Sequence, residues 1–444
     1  CAGRGRSRRG RRGSARRAAQ KAAAGLQQQP FRQMRNTYPL TSMISADQVE
    51  AIHQASLRIL KEIGIEFMGQ DARDQLKKAG ADVDEATHRV RFDPALVESM
   101  IGLAPKCVTL HAPNPDRNVH LGDNWVTFCA VASAPNVADL DNGRRTGNFH
   151  DFKNLIRVGH QLNTVQMWGG YPVEPVDLHA STRHLDSTLA FLTLSDKAIH
   201  GYSLGPERLF DVMDMVCIRR GVTREQLMAE PSLVSIVNAN SPLKYDQPMA
   251  EGIMNMAETG QIIVVTPFTL AGAMAPVTLA GALAQQNAEA LAGLVLSQSV
   301  RAGAPFVYGG FTSNVDMKSG APAFGTPEYM KGVVIGGQMA RRYGLPYRTS
   351  GVNAANGLDV QAGWESVFSL WSVINGGGNM IKHALGWMEG GLQASFEKMI
   401  LDADMIQMVQ SYLEPIGTSD ADFAFDAIQE VGPGGHFFGC AHTQ

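Results

Sequence analysis

Apolar positions recur at helical spacing from residue 44 onward. In ISADQVEAIHQASLRILKEIG, Val49, Ile52, Ile59, Leu60 and Ile63 fall on one face, Ser45 stands at the N-cap and Gly64 at the stop. DARDQLKKAG and DPALVESMIGLAP predict two more helices, and the short runs CVTLHA, NVHLG and WVTFCAV alternate as strands do. Residues 44–148 therefore predict a small α+β region. From about Phe149 the rhythm becomes regular. Helical stretches such as HDFKNLIRVGHQL, PERLFDVMDMVCIRRG, QPMAEGIMNMAETG and PEYMKGVVIGGQMARRYG alternate with eight strand-like runs. The runs are TVQMWGG, AIHGYSL, SLVSIVNAN, QIIVVTPFTL, PFVYGGF, PYRTSGV, NMIKHALG and GGHFFGC.

Parallel strands need crossover connections, and helices are the usual crossover. Eight such units over 149–444 predict an α/β fold, a (β/α)8 TIM barrel with an N-terminal α+β extension. A doubly wound open sheet is the competitor, weakened by the lack of a GxGxxG after the first strand. The eighth run ends at Cys440, so its closing helix is missing. Either the chain stops short or a segment from the N-terminal region covers that strand.

Charge adds a third part. The chain has 39 basic and 42 acidic residues, yet the first 35 residues hold ten arginines, one lysine and no acid. A strongly basic arm, residues 1–43, sits on an acidic body. Its first 35 residues have one aromatic, Phe31, and no nucleic-acid motif. We read it as an assembly element of a homo-oligomer, with no nucleic-acid partner. The stretch from Glu258 to Glu289 is uncharged and long enough to cross a bilayer. Pro267, Pro276 and the Gln285-Gln286-Asn287 ending fit a buried strand and a small-residue helix instead, so no membrane partner is expected. Five dispersed cysteines without a CxxC point to a reducing, cytoplasmic compartment.

In a barrel, reactive groups collect where strands end. Five of the eight predicted ends pair an aromatic with glycine, in a chain only 7% aromatic. Glycine admits a bulky ligand to the backbone, and aromatic faces attract a cation without a counter-charge. That combination suits a quaternary ammonium lying under a large planar group; aromatics that merely plug the barrel mouth would give the same pattern. Other chemistries lack support. His179 and His184 are off metal spacing, no HExxH, GxSxG or Walker loop occurs, and no metal site is expected. His383, on a strand end beside Trp387, is the best single candidate.

Four stretches resemble the trimethylamine methyltransferase family of corrinoid-dependent methyltransferases. They are FTLAGAMAPVTLAGALAQQNAEALAGLVLSQSVRAGAPFVYGG, GTPEYMKGVVIGGQMARRYGLP, QAGWES and GPGGHFFGCAHT. The resemblance implies a barrel that passes a methyl group from a methylated amine to the Co(I) of a separate small corrinoid protein. No cofactor need then be bound permanently, since the cobalamin travels on its partner. Archaeal trimethylamine enzymes of the family carry pyrrolysine between the GLP and QAG motifs. Here that stretch is PYRTSGVNAANGLDV, with Val352 or Asn353 at the special position. Without pyrrolysine a quaternary amine such as a betaine is the better donor, because its leaving group is already a neutral tertiary amine.

Roles follow from that expectation. Trp168, Tyr202, Tyr308, Phe311 and Trp387 would cage the ammonium, and Asn240, Asn353 and His383 would orient a polar group on the substrate. Gly309, Gly310 and Gly351 would leave room for the corrin, with His436, Phe438 and His442 near its rim. The alternatives are a barrel methyltransferase with another donor or acceptor, and a non-catalytic binding protein that senses betaines.

Overall fold

The fold is described by a computed structural model covering residues 27–444. Seven parallel strands form its centre: β1 (Trp125–Ala130), β2 (Ile199–His200), β3 (Leu233–Val237), β4 (Ile262–Val265), β5 (Phe306–Gly309), β6 (Tyr347–Ser350) and β7 (Met380–Leu385). They lie in the order β1-β7-β6-β5-β4-β3-β2, each neighbouring pair parallel. The sheet curls until its two ends approach one residue. Met167 makes parallel bridges to Cys129 of β1 and to Ala198 beside β2.

The two-residue period of a strand sorts the core into two. Cys129, Met167, Ala198, Val234, Ile262, Val264, Val307 and Met380 pack together inside the curl. Leu110, Ala112, Val119 and Leu121, from the antiparallel hairpin of Val108–Leu110 and Val119–Leu121, join the same cluster and close one end. Their strand neighbours Phe128, Trp168, Leu233, Ile263, Phe306, Tyr308, Tyr347 and Ile381 belong to the larger core shared with the helices.

Three sequence expectations need correcting. WVTFCAV, assigned to the N-terminal region, is β1 and belongs to the central sheet. GGHFFGC, expected to be the eighth strand, is a 3₁₀ turn at Phe437–Gly439. Its glycines and exposed aromatics give it no partner to pair with. TVQMWGG contributes only the bridging residue Met167.

Residues 1–26 of the basic arm lie outside the described residues; residues 27–43 lie on their own chain. Met34–Arg35 pairs antiparallel with β1, Gln33 Nε2 donates to Thr127 Oγ1 at 2.6 Å, and Phe31 lies under the Arg117 guanidinium at 3.8 Å. The N-terminal region is α+β, with a four-stranded sheet that borrows Lys244–Tyr245. Its first helix, Ala46–Arg58, begins at a Ser45–Gln48 capping box.

The uncharged stretch resolves into β4 and the helix Leu279–Val300, which is buried on almost every side. Helices Ala46–Arg58 and Pro94–Leu103 cover its outer face. Among the described residues no helix is long and apolar enough to cross a membrane. A buried polar knot joins the layers. Asn287 Nδ2 donates to Ser56 Oγ and Tyr343 Oη, each at 2.9 Å, and Tyr308 Oη donates to Asn287 Oδ1 at 2.9 Å.

Asn287→Leu would strand the buried Tyr308 hydroxyl and take one partner each from Ser56 Oγ and Tyr343 Oη, which keep the Ile52 carbonyl and His53 Nδ1. At about 1–3 kcal/mol for a buried polar group left without its partner, urea unfolding should show a loss of that order. A change below ~0.5 kcal/mol would show that the knot does not tie the layers together.

Candidate active site

The carboxyl ends of the strands surround a cavity of about 270 Å³. Its floor is set by an irregularity in β7. Met380 and Ile381 register with Thr127 and Phe128, but the next pair is Leu385 with Ala130, so β7 bulges. His383 occupies the bulge in the left-handed region, at φ 59°. Successive residues of a strand normally face opposite ways, and a bulge re-aims one of them. Here Lys382 and His383 both line the cavity. Gly169 lies so close to Lys382 Cε that a Cβ there would stand 2.8 Å away.

One side of the cavity is cationic. Arg348 of β6, Lys382 and His200 line it with Ser235, Asn238 and Thr266, and no Asp or Glu is among the lining residues. Burial, reinforced by Arg348, pulls Lys382 down to about 7. Burial also brings Arg348 down to about 10. His200 is held neutral by burial, then by Lys382. His383 is likewise pushed well below the usual histidine range by burial, Lys382 and Arg348.

The other side carries one ring of an aromatic cluster: Phe311 lines the cavity, and Phe268, Phe324 and Trp387 pack behind it and behind His383. Phe311 lies 5.2 Å from both Phe268 and Phe324. Phe324 meets Trp387 edge-on at 5.4 Å, and Trp387 stacks on His383 at 5.1 Å. His383 Nδ1 is 3.1 Å from Ser350 Oγ. Tyr202 closes the third side and makes only long contacts, 3.4 Å to Ser133 Oγ and 3.3 Å from the Tyr171 N–H. Tyr202 and His200 also wall a second cavity of about 410 Å³, lined by Tyr171, Glu174, Arg183 and His184.

The turn that carries Trp387 is pinned from behind. The buried pair Lys398–Asp402 sits under it, Asp402 Oδ2 accepts from the Gly386 N–H at 2.8 Å, and Asn353 Nδ2 donates to the Trp387 carbonyl at 2.6 Å.

Of the residues singled out in the sequence, the structure thus places His383, Phe311 and Tyr202 on the cavity and Trp387 behind His383. The others go elsewhere. Trp168 and Tyr308 point into the helix layer, where the Trp168 indole donates to Ser195 Oγ at 2.9 Å and Tyr308 holds Asn287. Asn240 caps a turn, accepting from the Asp246 N–H at 2.9 Å; Asn238, two residues earlier, faces the cavity instead. Val352 is buried, its N–H donating to Ser369 Oγ at 2.9 Å. A Cβ on Gly309 would strike Thr266, one on Gly310 would strike Gln286, and one on Gly351 would touch Ala384. Gly309 and Gly310 are packing glycines, whereas Gly351 has room for a Cβ at ordinary contact distance. His436, Phe438 and His442 lie on a C-terminal segment and are exposed. From Pro415 on, the hydrogen bonds of that segment stay within it. Sequence reasoning missed Arg348, Lys382, His200, Phe268 and Phe324. Charged Arg348 and Lys382 inside apolar strand runs were the available signal.

The family model described as "Trimethylamine methyltransferase (MTTB)" matches residues 8–444. The chain belongs to the trimethylamine methyltransferase family. Among its relatives, a glycine betaine methyltransferase of Desulfitobacterium hafniense is 35% identical over 91% of this chain and 84% of its own. A proline betaine:corrinoid methyltransferase of Eubacterium limosum is 26% identical over 89% and 82%. The trimethylamine methyltransferase MttB of D. hafniense is 28% identical over 90% and 80%. The monomethylamine methyltransferase structure from Methanosarcina barkeri superposes with a TM-score of 0.52 at 12% identity, covering 87% of this chain and 78% of that one. At that identity the likeness speaks to the fold of this family member alone.

Asp402→Asn would leave the Lys398 ammonium buried and uncompensated. Removing one partner of a buried pair costs about 3–5 kcal/mol, so denaturant unfolding should show a loss near that range. Stability within 1 kcal/mol of the parent would remove the pair from its supporting role.

Proposed function

We propose that this family member transfers a methyl group from a quaternary amine, a betaine being the leading candidate, to the Co(I) of a corrinoid carried by a separate protein. The observation that carries the reading is that Phe311 and Tyr202 line the cavity beside a neutral His383, with Phe268, Phe324 and Trp387 packed behind them. Such faces stabilise a desolvated ammonium without a counter-ion. The donor's C–N bond breaks, its electron pair leaves with the neutral tertiary amine, and the methyl carbon goes to the cobalt. No proton moves, so no general acid is required. The protein's work is to strip water from the cation and hold one N–CH3 bond toward the mouth of the cavity. We further infer that no corrinoid is held permanently by this chain. The relatives that act on betaines support the donor, and the name of the E. limosum enzyme supports the acceptor.

We also read the ring of strands as a (β/α)8 barrel, with Met167 standing for its eighth strand. The double bridge of that residue supports closure. A homo-oligomer is the assembly we favour, although the contact we assign is a helix face and not the basic arm. Helix Val360–Asn375 exposes Val360, Trp364, Val367, Phe368 and Trp371, with Trp364 at 63%. The C-terminal segment exposes Phe423, Phe425, Ile428 and Phe438, the last at 86%. A segment of this length cannot bury those rings alone, and a second copy of the chain offers a matching apolar surface. The dispersed free cysteines favour a reducing, cytoplasmic setting.

Incubation with Co(I) cobalamin and a panel of quaternary amines should give methylcobalamin absorbance with at least one betaine. No methylation from any of them, with the amine still bound, would favour the sensor reading. Phe311→Ala should raise KM for the amine about 5- to 30-fold, the worth of one desolvated cation–π contact, and an unchanged KM removes Phe311 from the wall. Trp364→Glu with Phe368→Glu should give a monomer by sedimentation; an unchanged mass would reject this face as the contact.

A further inference from the structure

The aromatic wall explains where an ammonium goes but leaves the buried strand cations beside it unused. Arg348 and Lys382 sit on adjacent strands, one register step apart, Arg348 opposite Met380 and Ser350 opposite Lys382. Both side chains are buried. Arg348 Nε and Nη1 have no hydrogen-bond partner, nor do Nδ1 of His200 and Oγ1 of Thr266, which line the same cavity. Among the described residues neither cation is in an ion pair. A buried charge is normally paired, and an unpaired guanidinium beside a second buried cation is costly. Strain of this kind persists where it is relieved by a ligand. Four unpartnered donors or hydroxyls aimed into one acid-free space call for an anion.

We propose that Arg348 and Lys382, with His200 and Thr266, form a carboxylate subsite that holds the acid end of a zwitterionic quaternary amine. The inference rests on the reading that the aromatic wall takes the ammonium. Phe311 lies over the Arg348 guanidinium at 5.2 Å from its centroid, so the two subsites are in direct succession. A molecule with a carboxylate one or two carbons from its ammonium fills both. A quaternary amine without the acid would face the buried Arg348 guanidinium unscreened, joined by Lys382 below about pH 7, and the low dielectric there magnifies that repulsion. The subsite therefore selects by repelling the wrong ligand as well as by holding the right one. Trimethylamine and choline are excluded on this ground, and betaines are retained.

Protonation gives an independent handle. Lys382 is faced by Arg348 from β6, Cys129 from β1 and His200 from β2, with His383 beside it on its own strand; none is an acid. With its free-enzyme value lowered to about 7, Lys382 is mostly neutral at pH 8. A carboxylate arriving beside it favours the charged form, so binding at pH 8 takes up a proton.

The test is calorimetric binding of glycine betaine, choline and trimethylamine to the whole protein at pH 8, in two buffers of different ionisation enthalpy. Glycine betaine should bind at least about 30-fold tighter than choline, the worth of a hydrogen-bonded charge pair, with net proton uptake. Arg348→Met should abolish that preference while the unliganded protein unfolds at the same or a higher temperature, because an unpaired buried charge has been removed. Lys382→Met should remove the proton uptake, and it serves if Arg348→Met fails to fold. Equal binding of betaine and choline overturns the subsite while the methyltransferase reading stands. So does a preference that survives both substitutions, or an absence of proton uptake. No binding or turnover of any quaternary amine overturns the underlying reading instead.

Discussion

Side chains on a parallel strand point by turns toward the interior and toward the helix layer, and that two-residue period decides what this site can contain. On β4, Ile262 and Val264 face in while Ile263 and Val265 face out. On β6 the same period sends Tyr347 outward to donate to the Val333 carbonyl and leaves Arg348 inside. The bulge in β7 breaks the period at one place. It puts Lys382 and His383 in the cavity together, which a regular strand could not do. His383 pays for this with a left-handed backbone, and local strain of that sort is commonly found where a side chain must be aimed.

Much of the fold was legible because the helices announce themselves by period and cap. Ser45 begins its helix with a capping box, and the small-residue helix after β4 runs where the sequence suggested. The strands were harder. WVTFCAV reads as a strand but precedes the first regular helix, so it was set apart from the sheet it begins. GGHFFGC has the residue types of a strand, yet nothing in its surroundings pairs with it. The site was half legible for a related reason. An aromatic beside a glycine says that a strand end is open, but not which way the ring points. Phe311 and Tyr202 point into the cavity, while Trp168 and Tyr308 point into the helix layer. Arg348 and Lys382 were visible as lone charges in apolar runs, and their meaning appears only when two strands place them side by side without an acid.

The stretch between Val352 and Asn356 shows how a segment can support a site without entering it. Val352 is buried with its N–H on Ser369, and Asn353 carries the Trp387 carbonyl on its amide. The N–H groups of Ala354 and Ala355 are held by Glu365 Oε2, at 2.7 and 3.2 Å. This segment presents no reactive group to the cavity. It fixes the backbone on which Trp387 sits, and Lys398–Asp402 fixes the same turn from the other side. These residues act as scaffolding for the turn that carries Trp387.

The charge distribution links the two halves of the cavity. An ammonium needs an electron-rich, water-free surface and gains little from a formal anion that would also bind it after the methyl has left. The product is a neutral tertiary amine, so an aromatic wall loosens its hold once the charge is gone. A carboxylate stays charged throughout the reaction. Held at Arg348, it would keep the molecule oriented while the other end changes from cation to neutral amine. Placing the permanent charge on a buried guanidinium, and the transient one on aromatic faces, separates positioning from release. An acid anywhere in the lining would undo this, by pairing with Arg348 and Lys382 before the substrate arrives.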